Sequence, residues 1–165
     1  MIKYLIGIDP GLTGGISVLD SETNEVTTYA IPRVGKNDVN GPELLEILKK
    51  YSSEKHLVAI EDVHSIFGSS ASSNFTFGRV LGTLEGLIVG AELSWIKVQP
   101  KAWQKVAWNG IPVLFDAKGK KNTKGMSFLA ITRLFPKQKF LKTKDGIIDA
   151  ALIAFYLKIT YATNY

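Results

Sequence analysis

Two short apolar runs in this chain each end in a carboxylate. Residues 4–8 run into Asp9-Pro10-Gly11, and Leu57-Val58-Ala59-Ile60 runs into Glu61-Asp62. A continuous apolar run of this length is the mark of a strand covered on both faces, which belongs to a parallel pairing flanked by helices. If the two strands are parallel neighbours, Asp9 and Glu61 emerge together at the carboxyl edge of one sheet. That edge is where open α/β sheets place their ligands. Side chains alternate along a strand, so Asp62 is expected on the opposite face, in a structural role.

The remaining segments supply what such a sheet needs. Residues 3–9, 14–20 and 25–31 read as three strands joined by turn chemistry, an antiparallel meander. Asn40 or Gly41 can cap a helix with Pro42 in its first turn and Leu44, Leu45 and Leu48 as its stripe. The Gly/Ser stretch 68–73 reads as a mobile loop, followed by a helix over 74–91. In that helix Gly78, Gly82, Gly86 and Gly90 recur along one side. Trp95–Val98 is expected as a strand and Pro100–Ala107 as a helix, residues 108–121 as irregular, and Thr123–Leu134 and Asp145–Tyr161 as closing helices. The order βββαβαβ and then helices argues an α/β fold, a mixed sheet covered by helices.

Composition narrows the chemistry. A length of 165 residues predicts one domain at ~100–200 residues per domain. Cysteine is absent and only His56 and His64 offer imidazole, which excludes thiol catalysis, disulfides and iron–sulfur sites and argues against zinc. The longest apolar run, residues 150–157, is eight residues, against the ~20 a membrane span needs; a soluble cytoplasmic protein is expected. Charge is divided unevenly. Residues 1–95 carry 7 Lys/Arg against 12 Asp/Glu, whereas residues 96–165 carry 13 against 3, giving halves of −5 and +10. A basic half of this strength suits either a polyanion partner or a solvated lysine-rich surface.

Two further acids join Asp9 and Glu61. Asp145 and Asp149 stand four apart at the start of the last helix, hence on one side of it. Asp145 also suits a helix first turn, and Asp9 a turn before Pro-Gly. Asp149 borders the apolar run 150–154, where a carboxylate needs a partner. Carboxylates without Cys or His ligands suit a hard cation, Mg²⁺ or Mn²⁺. A pair of such ions activates water and stabilises a leaving oxygen in phosphodiester hydrolysis.

Three segments carry a resemblance: Ile6-Gly7-Ile8-Asp9-Pro10-Gly11, Ala59-Ile60-Glu61-Asp62, and Asp145-Gly146-Ile147-Ile148-Asp149-Ala150-Ala151-Leu152. In order and spacing they resemble the active-site motifs of the RuvC family of Holliday-junction resolvases, and most of all its shorter phage-encoded members. The resemblance spans nearly the whole chain. It implies a ribonuclease H-like fold with a five-stranded mixed sheet, three antiparallel strands then two parallel, forming a single domain over residues 1–165. It implies Asp9, Glu61, Asp149 and, fourth, Asp145 as catalytic metal ligands. One departure stands out: bacterial members usually place the last two acids three apart, and here they are four apart. The implied activity is symmetric, paired cleavage of four-way DNA junctions by a homodimer in recombination, repair or phage DNA processing, with part of the helix over 74–91 as the contact between copies.

The basic half then reads as a DNA surface. Lys97, Lys101 and Lys105 recur at four-residue spacing, and Lys118, Lys120, Lys121 and Lys124 lead into a helix; such cations release counterions from a nucleic-acid backbone. By resemblance, Lys101 and Lys124 fall near the family's DNA-contacting lysines. Trp103 and Trp108 read as core. Phe67 reads either as a contact to bases at a junction or as a loop anchor. Three other readings compete. An actin-like ATP-binding domain needs a second phosphate loop and two lobes, for which the chain has no room. A general branched-DNA or RNA–DNA hybrid nuclease keeps the fold and changes the substrate. A non-catalytic DNA-binding module fits poorly with four intact carboxylates.

Overall fold

The structure is a computed structural model that describes residues 1–63 and 68–162. Strands β1 (Tyr4–Asp9), β2 (Gly15–Asp20) and β3 (Val26–Ala30) form the meander, followed by two-residue strands β4 (Arg33–Val34) and β5 (Asp38–Val39). Helix α1 (Gly41–Lys49), strand β6 (His56–Glu61), helix α2 (Ala71–Gly90) and strand β7 (Trp95–Val98) come next. Helices α3 (Pro100–Ala107), α4 (Thr123–Leu134) and α5 (Asp145–Tyr161) complete the chain. The main sheet has five strands in the order β3-β2-β1-β6-β7. Strands β1, β2 and β3 pair antiparallel, while β6 lies parallel to β1 and β7 parallel to β6. The expected three-plus-two mixed sheet is therefore present.

Alternation along the strands sorts the core into two layers. Ile6 and Ile8 of β1 and Val58 and Ile60 of β6 face Leu44, Leu84 and Ile88 of α1 and α2. Leu5 and Ala59 face the other way, against Trp103, Ile131 and Leu152 of α3, α4 and α5. By the same period, Asp9 follows Gly7 and Glu61 follows Ala59 onto the α5 side. Gly7 is needed there, because a Cβ at that position would lie 2.0 Å from the Ala150 carbonyl oxygen. Backbone thus meets backbone, and α5 is seated directly on β1.

Two local readings are corrected. Helix α2 begins at Ala71, not at 74: Ser70 is its N-cap, its side chain accepting from the Ser73 amide at 3.1 Å. A serine oxygen that satisfies a free first-turn N–H starts a helix as well as it fills a loop, so half of the Gly/Ser stretch is ordered as its first turn. The β4–β5 hairpin was not foreseen. It turns at Gly35, φ +64°, and is held to α2 by Arg79, whose guanidinium pairs with Asp38 at 2.7 Å. Among the described residues no helix is long and apolar enough to cross a membrane.

Candidate active site

The two strand-end acids stand side by side. Ile8 is in register with Ile60 on parallel strands, so the residues that follow, Asp9 and Glu61, leave the same edge together. Helix α5 brings the other two. Its N-terminus is drawn against the β1–β2 turn through a bridge between Gly14 and Gly146. A Cβ on Gly146 would sit 2.5 Å from the Gly14 Cα and 2.9 Å from Asp9 Oδ2. Only glycine lets the helix approach that carboxylate, and Asp145 and Asp149 flank it one turn apart.

Electrostatics show that the acids act on one another. Burial, reinforced by the charges of Glu61, Asp149 and Asp145, pushes the Asp9 carboxyl up to about 7, against one opposing hydrogen bond from the Gly11 amide. Burial pushes Asp149 up to about 6, with the charges of Glu61 and Asp145 adding to it and the Ser127 hydroxyl opposing it. Glu61 is raised by burial and partly relieved by the indole of Trp103, which donates to its Oε1 at 2.8 Å. Asp145 goes the other way: the Lys124 ammonium bonds it and holds its carboxyl below the usual range.

These environments bear on a cation. The Oδ1 of Asp149 is buried with no hydrogen-bond partner; an orphaned anionic oxygen of this kind costs free energy unless something positive meets it. Oxygen donors alone suit Mg²⁺ or Mn²⁺. Among the described residues no three acids converge into a ready-made ion cage, since Glu61 is turned to an indole and Asp145 to an ammonium. The donor chemistry fits a hard cation, and two of the four acids hold other partners.

Beneath the acids lies a buried support. Trp103, 1% exposed, meets Trp108 edge to face with ring centroids 5.9 Å apart. The Trp108 indole donates to Ser127 Oγ at 3.3 Å, and Ser127 bonds Asp149. The two tryptophans are core, as expected, and they also reach two of the acids. Ser127 was missed, because a serine inside a helix shows no pattern that marks it.

The lysines are dispersed. Lys124 is at the acids. Arg33 and Lys144, both missed from sequence, join it with Thr13 and Thr143 around a cleft of about 380 Å³ beside Asp145. Lys101 is exposed on α3, and Lys97 pairs with Glu85 at 2.9 Å. The structure does not bring Lys105 to the acids: it lines a cleft with Arg133 and Ile159 by the far half of α5. Lys118, Lys120 and Lys121 lie on the segment between α3 and α4, with the Lys121 ammonium 4.9 Å from the Trp108 ring centroid. Phe67 lies outside the described residues.

No protein-family model matches the sequence, and no curated protein matches it. Solved structures do. The RuvC structure from Thermus thermophilus superposes with a TM-score of 0.61 at 18% identity, over 94% of this chain and 95% of that one. T. thermophilus RuvC in complex with a Holliday-junction substrate gives 0.65 at 15% identity, covering 96% of each chain. Ydc2, the yeast mitochondrial Holliday-junction resolvase, gives 0.51 at 14% identity over 96% of this chain and 81% of that one. At such identities the likeness is one of fold: the five-stranded sheet and its flanking helices are arranged as in RuvC.

Proposed function

We propose that this chain is a metal-dependent endonuclease that cuts branched DNA, four-way junctions foremost, as a homodimer placing two symmetric nicks. The observation that carries the reading is the cluster of Asp9, Glu61, Asp149 and Asp145 at the carboxyl edge of a RuvC-like sheet, with Asp9 and Asp149 held at about 7 and about 6 by burial and mutual charge. The whole of residues 1–165 serves as one nuclease domain. Asp9, Glu61 and Asp149 would hold the cation or pair of cations, with Asp145 as the fourth ligand once Lys124 leaves it. Mg²⁺ or Mn²⁺ bound there would supply activation of water and stabilisation of the leaving oxygen.

The chain's own residues do the rest. Trp103 and Ser127 orient Glu61 and Asp149 through the hydrogen bonds they make to them. Lys124, Arg33 and Lys144 seat phosphates beside the scissile one, since their cleft opens at Asp145. Lys101, Lys105, Lys118, Lys120 and Lys121 extend the grip along the DNA arms, and Phe67 contacts bases at the branch. The exposed side of α2 supports pairing of two copies: Phe75 is 71% and Val89 60% exposed, and a Cβ at Gly78, Gly82, Gly86 or Gly90 meets nothing within 4 Å. Two-fold pairing sets two sites at a fixed separation, as symmetric nicking requires.

The test compares synthetic four-way junction, flap, duplex and RNA–DNA hybrid side by side with Mg²⁺, products mapped to the nucleotide. Paired nicks at symmetric positions of the junction are expected, abolished in Asp9→Asn. Equal cutting of every branched substrate would reduce the reading to a general branched-DNA nuclease, and cutting of the hybrid alone would replace it.

A further inference from the structure

Between α3 and α4 the chain makes a turn with an unusual surface. Phe115 is 65% and Val113 56% exposed, and the exposed Lys118, Lys120 and Lys121 follow within the same loop. Their neighbour Leu114 packs inward against the α3–α5 core. The ring of Phe115 therefore stands in water one residue from apolar cover, forgoing burial that its sequence neighbour obtains.

The turn that presents it is braced. Phe115 pairs with Lys121 across an antiparallel bridge. One Asp116 carboxylate oxygen accepts from the amides of Lys118 and Lys120, at 2.8 and 2.9 Å. The Asp116 amide donates to the Lys120 carbonyl at 2.8 Å, and the Asn122 amide to the Leu114 carbonyl at 2.7 Å. Gly119 takes φ +72°, the left-handed conformation that closes the turn. Three residues beyond Lys121, Lys124 reaches Asp145, so the turn leads directly into the helix that meets the acidic site.

A rigid aromatic among lysines is what recognises bases together with their backbone. The ring offers a stacking face that any base matches, the ammonium groups hold flanking phosphates, and the ordering entropy of the turn is already spent in the free protein. We propose that Phe115 is a stacking platform for an unpaired base at the branch of a DNA substrate, with Lys118 and Lys120 seating the adjoining phosphates. The identity of the ligand rests on the nuclease reading; the platform itself rests on the exposed ring, its lysines and the braced turn. Charge complementarity favours DNA over a protein occupant, since the loop's one acid, Asp116, is turned to its own backbone.

Binding in EDTA, where hydrolysis does not intrude, tests it with the full chain. The probes are a synthetic four-way junction, a gapped duplex and an intact duplex of equal length. Phe115→Ala should weaken junction and gapped-DNA binding by about five- to a hundred-fold, the range of one base–aromatic stack. It should leave duplex affinity and the salt slope unchanged, because no charge is removed. Phe115→Trp should restore affinity, with its indole fluorescence quenched by junction and not by duplex. Lys118→Ala with Lys120→Ala should weaken all three DNAs and make the salt slope shallower. If Phe115→Ala binds the junction as wild type does, or loses duplex equally, the platform is wrong. It is equally wrong if the variant instead converts a dimer to a monomer in light scattering, which would make the ring a protein contact. Wild type that cuts junctions while Phe115→Ala binds them normally overturns the platform alone; wild type that binds no DNA overturns the nuclease reading with it.

Discussion

Asp9 and Asp149 carry charge where the fold resists it, and stability should record that. Their folded values, about 7 and about 6, lie above the ordinary carboxylate range because burial penalises the ionised form. An acid whose folded value is raised binds its proton more tightly in the native state. Its stabilising contribution is complete below about pH 4 and is lost as pH rises through the folded value. The metal-free protein should therefore melt at a lower temperature at pH 7.5 than at pH 5, and Asp9→Asn should flatten the dependence; thermal melts in EDTA across that window decide it. Trp103→Phe keeps an aromatic side chain but deletes the donor to Glu61 and part of the buried indole's volume. We expect a loss of about 2–3 kcal/mol of stability, from the lost hydrogen bond and the space left in the core, and a fall in kcat with junction affinity kept, read by urea melts and single-turnover cleavage; unchanged kcat would leave the indole a packing residue. Asp9, Glu61 and Asp149 were legible because each ends or borders an apolar run, and Asp145 because it stands one helical turn before Asp149. The direction of an indole N–H and the partner of a helical serine are settled by packing between distant segments, which no local spacing encodes.

Helix α2 decides between two uses of its glycines. If the side carrying Gly82 faces water, Gly82→Ala should raise stability by ~1 kcal/mol, the helix preference for alanine. If it is a contact between copies, Gly82→Glu should dissociate the dimer and abolish paired nicking while single nicks persist. Light scattering at assay concentration with both variants separates the outcomes. At this scale the sequence was read well where pattern is long: β1, β2, β6, β7 and the three last helices follow periods that a single segment displays. The start of α2 was misread because serine serves caps and loops alike. The β4–β5 hairpin was unreadable because two-residue strands have no period, and its attachment through Arg79 to Asp38 is tertiary. Gly7 was visible within its motif, yet its need, a helix carbonyl 2.0 Å from where a Cβ would stand, exists only once α5 has docked.

Over the whole molecule, the proposed function assigns gripping to the basic half of the chain and cutting to the acids. Junction affinity should fall with salt at a log–log slope of about −0.9 per neutralised phosphate. Lys101→Ala should make the slope shallower by about one unit and weaken all sequences alike, whereas Asp149→Asn should bind as well as wild type or better and fail to cut. Loss of binding in Asp149→Asn with Lys101→Ala unchanged would reverse the assignment of the two halves. The ion pair between Lys124 and Asp145 has a further consequence. One ammonium serves either a protein carboxylate or a DNA phosphate, and one carboxylate serves either that ammonium or a cation. The two ligands then share a competitor, so each relieves a cost of binding the other. Such linkage is reciprocal: whatever factor DNA adds to cation affinity, the cation adds to DNA affinity. Calorimetric titration of Ca²⁺ into the protein with and without junction should show tighter binding in its presence, and Lys124→Ala should shrink that difference by removing the shared competitor.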